Sequence, residues 1–213
     1  MILDKKMLNS AAKKYCEVWY DYDSHFSEYI SGEHYAIDER VKVLRKFLSH
    51  YSINRNLQPK DKELKHYSER VCAGSYNTKK HHIILTELDS FTPSNDWVYD
   101  TLRFEKILID KLTNEVSLLS LSSKVLWQKF RGQRLVYDAD ARKALNIADK
   151  DLLGFNNNWN DLYENNYLQI VDALESVLND SPFMCFRYDE FRQDWFYRRI
   201  LDMYLINLTR SKK

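Results

Sequence analysis

Lys124 and Asp138 stand fourteen positions apart in the stretch SLSSKVLWQKFRGQRLVYDADARKAL, which runs from Ser120 to Leu145. A lysine partly desolvated beside an apolar helix face gives up its proton more easily, and the neutral amine is a nucleophile. An aspartate at a helix start is favoured as the anion, because its carboxylate meets the positive end of the helix. Such a carboxylate can stabilise positive charge developing on a reacting group and help move a proton. No other stretch of the chain sets an amine and a carboxylate in so defined a relation.

The residues between them supply what the pair would need. Val116, Leu118, Leu119 and Leu121 precede Ser122-Ser123-Lys124, and Val125, Leu126 and Phe130 mark an apolar helical face behind the lysine. This pattern predicts a helix, a short hairpin over Ser120 to Ser123, and a second helix opening close to Lys124. Ser120, Ser122 and Ser123 would then border exposed amide donors that suit a phosphate. Arg131-Gly132-Gln133-Arg134 breaks the helix, Leu135-Val136-Tyr137 continues as an extended apolar segment, and Asp138 is placed to cap a helix from Ala139 to Leu145.

From Leu121 to Leu145 six cations face two acids. Lys129, Arg131 and Arg134 could therefore hold phosphates, while Trp127 and Tyr137 could stack on a base. Each residue also has an ordinary structural role, as a solvated lysine, a helix cap or a core aromatic. Their joint order and the local basicity are what raise the catalytic reading.

A small residue, Ser-Lys, an apolar helix, a short basic turn, apolar-apolar-Asp and another helix together resemble the helix-hairpin-helix DNA glycosylase superfamily, especially its 8-oxoguanine glycosylase branch. The similarity spans about Glu105 to Ile147. It implies that Lys124 attacks the sugar and Asp138 assists, so that a damaged or modified base leaves the DNA, with strand cleavage as a second step. Here the proposed hairpin has no glycine, Leu135-Val136-Tyr137 before Asp138 has no proline, and the interval between lysine and aspartate is shorter than in that family. The partner implied is double-stranded DNA carrying such a base, and the role implied is repair or defence against modified phage DNA. A non-catalytic DNA-binding module built on the same hairpin is the alternative.

A second resemblance is shorter. Arg45 and His50 fit the Arg-x4-His pattern of HEPN ribonucleases, in which a dimer gathers two arginines and two histidines around a phosphodiester. His81-His82 lacks Cys, Asp or Glu at ligand spacing, so we expect no metal and no cofactor. Walker loop, dinucleotide glycine turn and Gly-x-Ser-x-Gly are all missing, which leaves nucleotide hydrolysis and serine-hydrolase chemistry unsupported.

The elements that must position these residues read as helices. In 213 residues there are only four glycines and three prolines, too few for the turns of a β-sandwich or barrel. Apolar positions recur at helical spacing over Lys6 to Ile30, Asp38 to Tyr51, Trp97 to Leu112, Trp159 to Leu178 and Asp189 to Leu208. Asp61 to Cys72 reads as a further charged helix, Ala73 to Lys80 as a loop, and His81 to Leu88 as a short strand or a helix. Ser94 or Asn95 is placed to cap the helix from Trp97, and the run of asparagines at 156–158 reads as a surface loop. We therefore expect a mainly α, compact multi-helix domain over residues 1–213 with a helix-hairpin-helix core at about 105–147 and room for two helical lobes. Three distant cysteines without a CxxC pair suggest reduced thiols, and no signal or membrane-length apolar run is evident. A monomeric cytoplasmic protein fits these features.

Overall fold

A computed structural model describes residues 1–53, 57, 78–112, 116–132, 134–180 and 188–211. Among these the chain is helical and contains no strand. The expected helix at Asp61 to Cys72 lies outside the described residues, as does the start of the following loop. The chain divides into two compact units, one made of Met1–Asp23 with Arg131–Lys213, the other of Ser24–Phe130.

In the first unit, α1 (Lys5–Val18) begins where the Asp4 carboxylate accepts from the Met7 amide at 2.7 Å. Leu8, Ala11, Ala12 and Tyr15 form its buried stripe at helical spacing. The continuous helix expected to Ile30 is interrupted by a π-helical segment, Trp19–Asp23, before α2 (Ser24–Ser31) resumes. The wider turn has a consequence for burial: both Trp19 and Asp23 are turned inward. α7 (Ala139–Ala144), α8 (Leu152–Asp180), the short α9 (Tyr188–Phe191) and α10 (Asp194–Arg210) complete this unit. α1 packs on α8 and α10, and α7 packs on α10. The asparagines expected in a loop lie within α8, which starts seven residues before Trp159; periodic burial through Leu152, Phe155, Trp159 and Leu162 overrides their weak helix preference.

The second unit contains α2, α3 (Ile37–His50), α4 (Thr78–Ser90), α5 (Trp97–Leu112) and α6 (Leu119–Phe130). The stretch His81 to Leu88, open between strand and helix in sequence, is helical, and His81, Ile84, Leu85 and Leu88 are its buried positions. Neither Ser94 nor Asn95 caps α5. Asp96 does so, accepting from the Tyr99 amide at 2.9 Å, while the Ser94 amide donates to the buried Asp100 carboxylate at 2.9 and 3.0 Å. Among the described residues no helix is long and apolar enough to cross a membrane.

One ion network ties the second unit together. Arg40, 3% exposed, donates to the Tyr29 and Ile30 carbonyls at the end of α2 and forks onto Asp89 of α4 at 2.7 and 2.8 Å. Lys129 of α6 bridges Asp89 at 2.9 Å and Glu33 at 2.6 Å. Burial acts to raise the Asp89 carboxyl, but hydrogen bonds from Arg40 and Lys129 outweigh it and hold the group below its usual range. Removing Asp89 strands a buried guanidinium, so Asp89→Asn should cost about 3 kcal/mol in urea unfolding. Because the folded value lies below the unfolded one of about 3.9, this stabilisation is full above that pH and is lost as pH falls through the folded value. The melting-temperature gap between wild type and Asp89→Asn should accordingly be constant near neutrality and shrink below about pH 4.

Candidate active site

In the second unit, α6 is enclosed along its length: every residue from Leu121 to Gln128 is buried. A helix that is buried all round is a central helix, and the small serines at 120, 122 and 123 leave room for its neighbours. The expected hairpin over Ser120 to Ser123 is therefore not there. Those serines occupy the first turns of α6, which opens at Leu119, and Lys124 sits in its interior. Serine and lysine are compatible with helix, and burial of Leu119, Leu121, Val125 and Leu126 extends it backwards.

The amide donors at the start of α6 are not awaiting a phosphate either. Glu105 of α5 takes the Leu118 amide at 2.7 Å and the Ser117 hydroxyl at 2.7 Å, so a carboxylate of the chain itself occupies that anion position. Ser123 donates to the Ser120 carbonyl at 3.2 Å, and Ser122 is fully buried.

Lys124 is 4% exposed. Its Nζ donates to Ser120 Oγ, one turn earlier, at 2.8 Å and lies 5.8 Å from the centre of the Tyr51 ring. Trp127 is buried in the core around the same helix, and Lys129 is engaged with Asp89 and Glu33. Neither presents an open stacking face or an unengaged cation. Arg45 and His50 lie five residues apart on α3, roughly 140° around its axis, with His50 packed against Phe26 and Tyr51.

Asp138 belongs to the first unit and fulfils its local expectation. It adopts extended backbone, its Oδ1 accepts from the Asp140 amide at 2.9 Å, and α7 follows. Leu135, Val136 and Tyr137 form the buried extended lead into it. The Tyr137 hydroxyl accepts from the Lys150 amide at 2.9 Å, and its ring meets Phe155 edge-on at 5.2 Å. Tyr137 is thus a packing residue as well as a neighbour of Asp138. Arg131 has φ 36° and its guanidinium lies 5.0 Å from each of the Trp19 and Trp195 rings, with Glu190 at 4.0 Å. Arg134 is half-buried, and its amide donates to the Arg131 carbonyl at 3.3 Å.

Sequence reasoning passed over a buried polar cluster in this unit. Asp202 of α10 is 2% exposed; its Oδ1 accepts from Trp159 Nε1 at 2.8 Å and its Oδ2 from Arg199 Nη1 at 2.6 Å. Arg199 also stands 4.0 Å from the fully buried Asp23 and 5.3 Å from the centre of the Tyr15 ring. Burial, reinforced by the Asp23 charge, pushes the Tyr15 hydroxyl well above its usual range. The readable signal was an Arg and an Asp three apart within an apolar helical pattern, which puts both on one inward face.

Among the described residues no group of three or more His, Cys, Asp and Glu is arranged to hold a metal. A cleft of about 330 Å³ in the first unit is lined by Leu145, Asn146, Asn158, Asp161 and Asn165, beyond the C-terminal end of α7 and so at the opposite end from Asp138. No protein family, curated protein or solved structure matches the chain.

Asn caps helices about as well as Asp does, whereas Ala does not. Asp138→Asn should therefore unfold in urea within about 0.5 kcal/mol of wild type, and Asp138→Ala should lose about 1 kcal/mol. Equal losses in the two variants would show that the carboxylate charge, not the cap, is what α7 requires.

Proposed function

We propose that the protein is a DNA glycosylase that removes a damaged or modified base, with Lys124 as nucleophile and Asp138 as the assisting carboxylate. The observation that carries this reading is the burial of Lys124 in the interior of the central helix α6. Lysines are rarely buried, because desolvating the ammonium is costly, and a buried ionisable amine is a candidate for chemistry. Nζ donates to the Ser120 hydroxyl one turn earlier on the same helix.

The steps balance without a cofactor. The Nζ lone pair attacks C1′ of a flipped nucleotide, the bond from C1′ to the base nitrogen breaks, and the base leaves with that electron pair and takes up a proton. The amine gives up its extra proton to water, and Asp138 in this reading stabilises the positive charge developing on the sugar and assists proton transfer. Opening of the sugar ring yields a Schiff base, from which loss of a C2′ proton expels the 3′ phosphate and cuts the strand. Nζ must exchange the Ser120 hydroxyl for C1′ along this path. The partner in this reading is double-stranded DNA, and extrusion of the target base costs a few kcal/mol.

Borohydride reduction on duplexes carrying an abasic site or modified bases tests the assignment. Wild type should be trapped as a covalent adduct, Lys124→Ala should give none, and Asp138→Asn should slow trapping by about a hundredfold or more. An adduct of undiminished yield from Lys124→Ala would remove Lys124 from the chemistry. Base release that survives Lys124→Ala and disappears in Asp138→Asn would mean that water is the nucleophile.

A further inference from the structure

The asparagines of α8 divide into two groups by what their side-chain oxygens meet. That of Asn156 accepts from Asn160 at 3.0 Å, that of Asn157 from Asn156 at 3.3 Å and that of Asn160 from Arg198 at 3.1 Å. Asn158 and Asn165 differ. Each donates its Nδ2 to a backbone carbonyl one turn earlier, Gly154 at 2.9 Å and Asp161 at 2.7 Å, and among the described residues neither Oδ1 has a protein donor. Asparagine is a poor helix former, and bonding back to the preceding turn does not improve it. Two exposed asparagines held in this way weaken α8 rather than support it.

Both line the same cleft. Asn158, Asp161, Leu162 and Asn165 recur at helical spacing on one face of α8 and, with Leu145 and Asn146 after α7, border a space of about 330 Å³. That is the lower end of the size range of small-molecule sites. Along the helix the Asp161 carboxylate comes between the two carboxamides. Among the described residues no donor or cation engages it, whereas Asp149, Glu175 and Asp194 of the same unit pair with arginines. Asn146 holds left-handed backbone at φ 56°, a conformation that asparagine tolerates. The lining thus combines a carboxylate and unengaged amide oxygens with the apolar surface of Leu145 and Leu162.

We propose that this cleft binds a primary ammonium group carried on a short aliphatic chain. An ammonium has three N–H donors and no acceptor, which matches a lining that offers oxygens. Its hydrogen bond to a carboxylate is of the strong, charge-assisted kind, and the aliphatic carbons take leucine surface out of water. An anion would be repelled by Asp161. A hard divalent cation wants six or more oxygens, usually with several carboxylates, and the cleft supplies one carboxylate. Free aliphatic amines and the lysine side chain of a peptide share this chemistry. The inference stands apart from base excision and needs no DNA.

NMR of the full chain, titrated with butylammonium chloride near pH 7 at constant ionic strength, tests it. The side-chain amide signals of Asn158 and Asn165 should shift saturably, with a dissociation constant on the order of millimolar for so small a ligand. Neutral 1-butanol should bind about tenfold more weakly or worse, and Asp161→Asn should weaken butylammonium by a similar factor. The double variant Asn158→Ala, Asn165→Ala should unfold at higher urea, because alanine is the better helix former, and yet bind butylammonium several-fold more weakly at the Asp161 and Leu162 backbone signals. A role in the helix alone would raise stability and leave binding unchanged. Tighter binding of Nα-acetyl-lysine methylamide than of butylammonium assigns the site to a peptide side chain, and tighter binding of 1,4-diaminobutane assigns it to a free amine. Absence of saturation, equal binding of 1-butanol, full affinity in a folded Asp161→Asn, or saturation by calcium chloride that the amines do not displace overturns the proposal.

Discussion

Burying a lysine inside a helical core is the constraint on which the structure of this protein turns. The central helix α6 is enclosed from Leu121 to Gln128, yet carries Lys124 in the middle of that run. Desolvation is costly for an ammonium, and among the described contacts the hydroxyl of Ser120 and the ring of Tyr51 lie beside Nζ. An apolar residue would pack in the same space at lower cost. The retention of an amine is what gives the catalytic reading its physical basis.

Both units secure their helices with buried arginines. In one, Arg40 closes the end of α2 and forks onto Asp89, which Lys129 shares. In the other, Arg199 joins Asp202 to the neighbourhood of Asp23 and Tyr15. Guanidinium groups suit this use because their donors lie in a fixed plane and can satisfy several acceptors at once. These clusters add little net stability compared with apolar packing, but removing one member strands the others, so they specify one arrangement of helices over alternatives.

Helix starts show the same economy with anions. Glu105 fills the amide position ahead of α6 and Asp138 that of α7, each a carboxylate supplied by the chain. A phosphate has no vacant place at the start of α6. In the proposed reading DNA contact by this stretch falls to side chains rather than to the helix dipole, and Lys129 among them is engaged with Glu33 and Asp89.

Much of the framework was legible in the sequence, since α1, α3, α5 and α10 follow apolar spacing and Asp138 caps α7 through a bond to a residue two positions away. Periodicity and capping are local, so a linear reading captures them. The hairpin placed at Ser120 to Ser123, the loop placed at the asparagines and the uninterrupted first helix were misjudged because packing overrode weak local preferences at each. The burial of Lys124 and the clamp on Asp202 belong to the tertiary structure alone. Desolvation depends on what encloses a group, and Asp202 finds its indole donor forty-three residues away in sequence, a separation that only the folded chain closes.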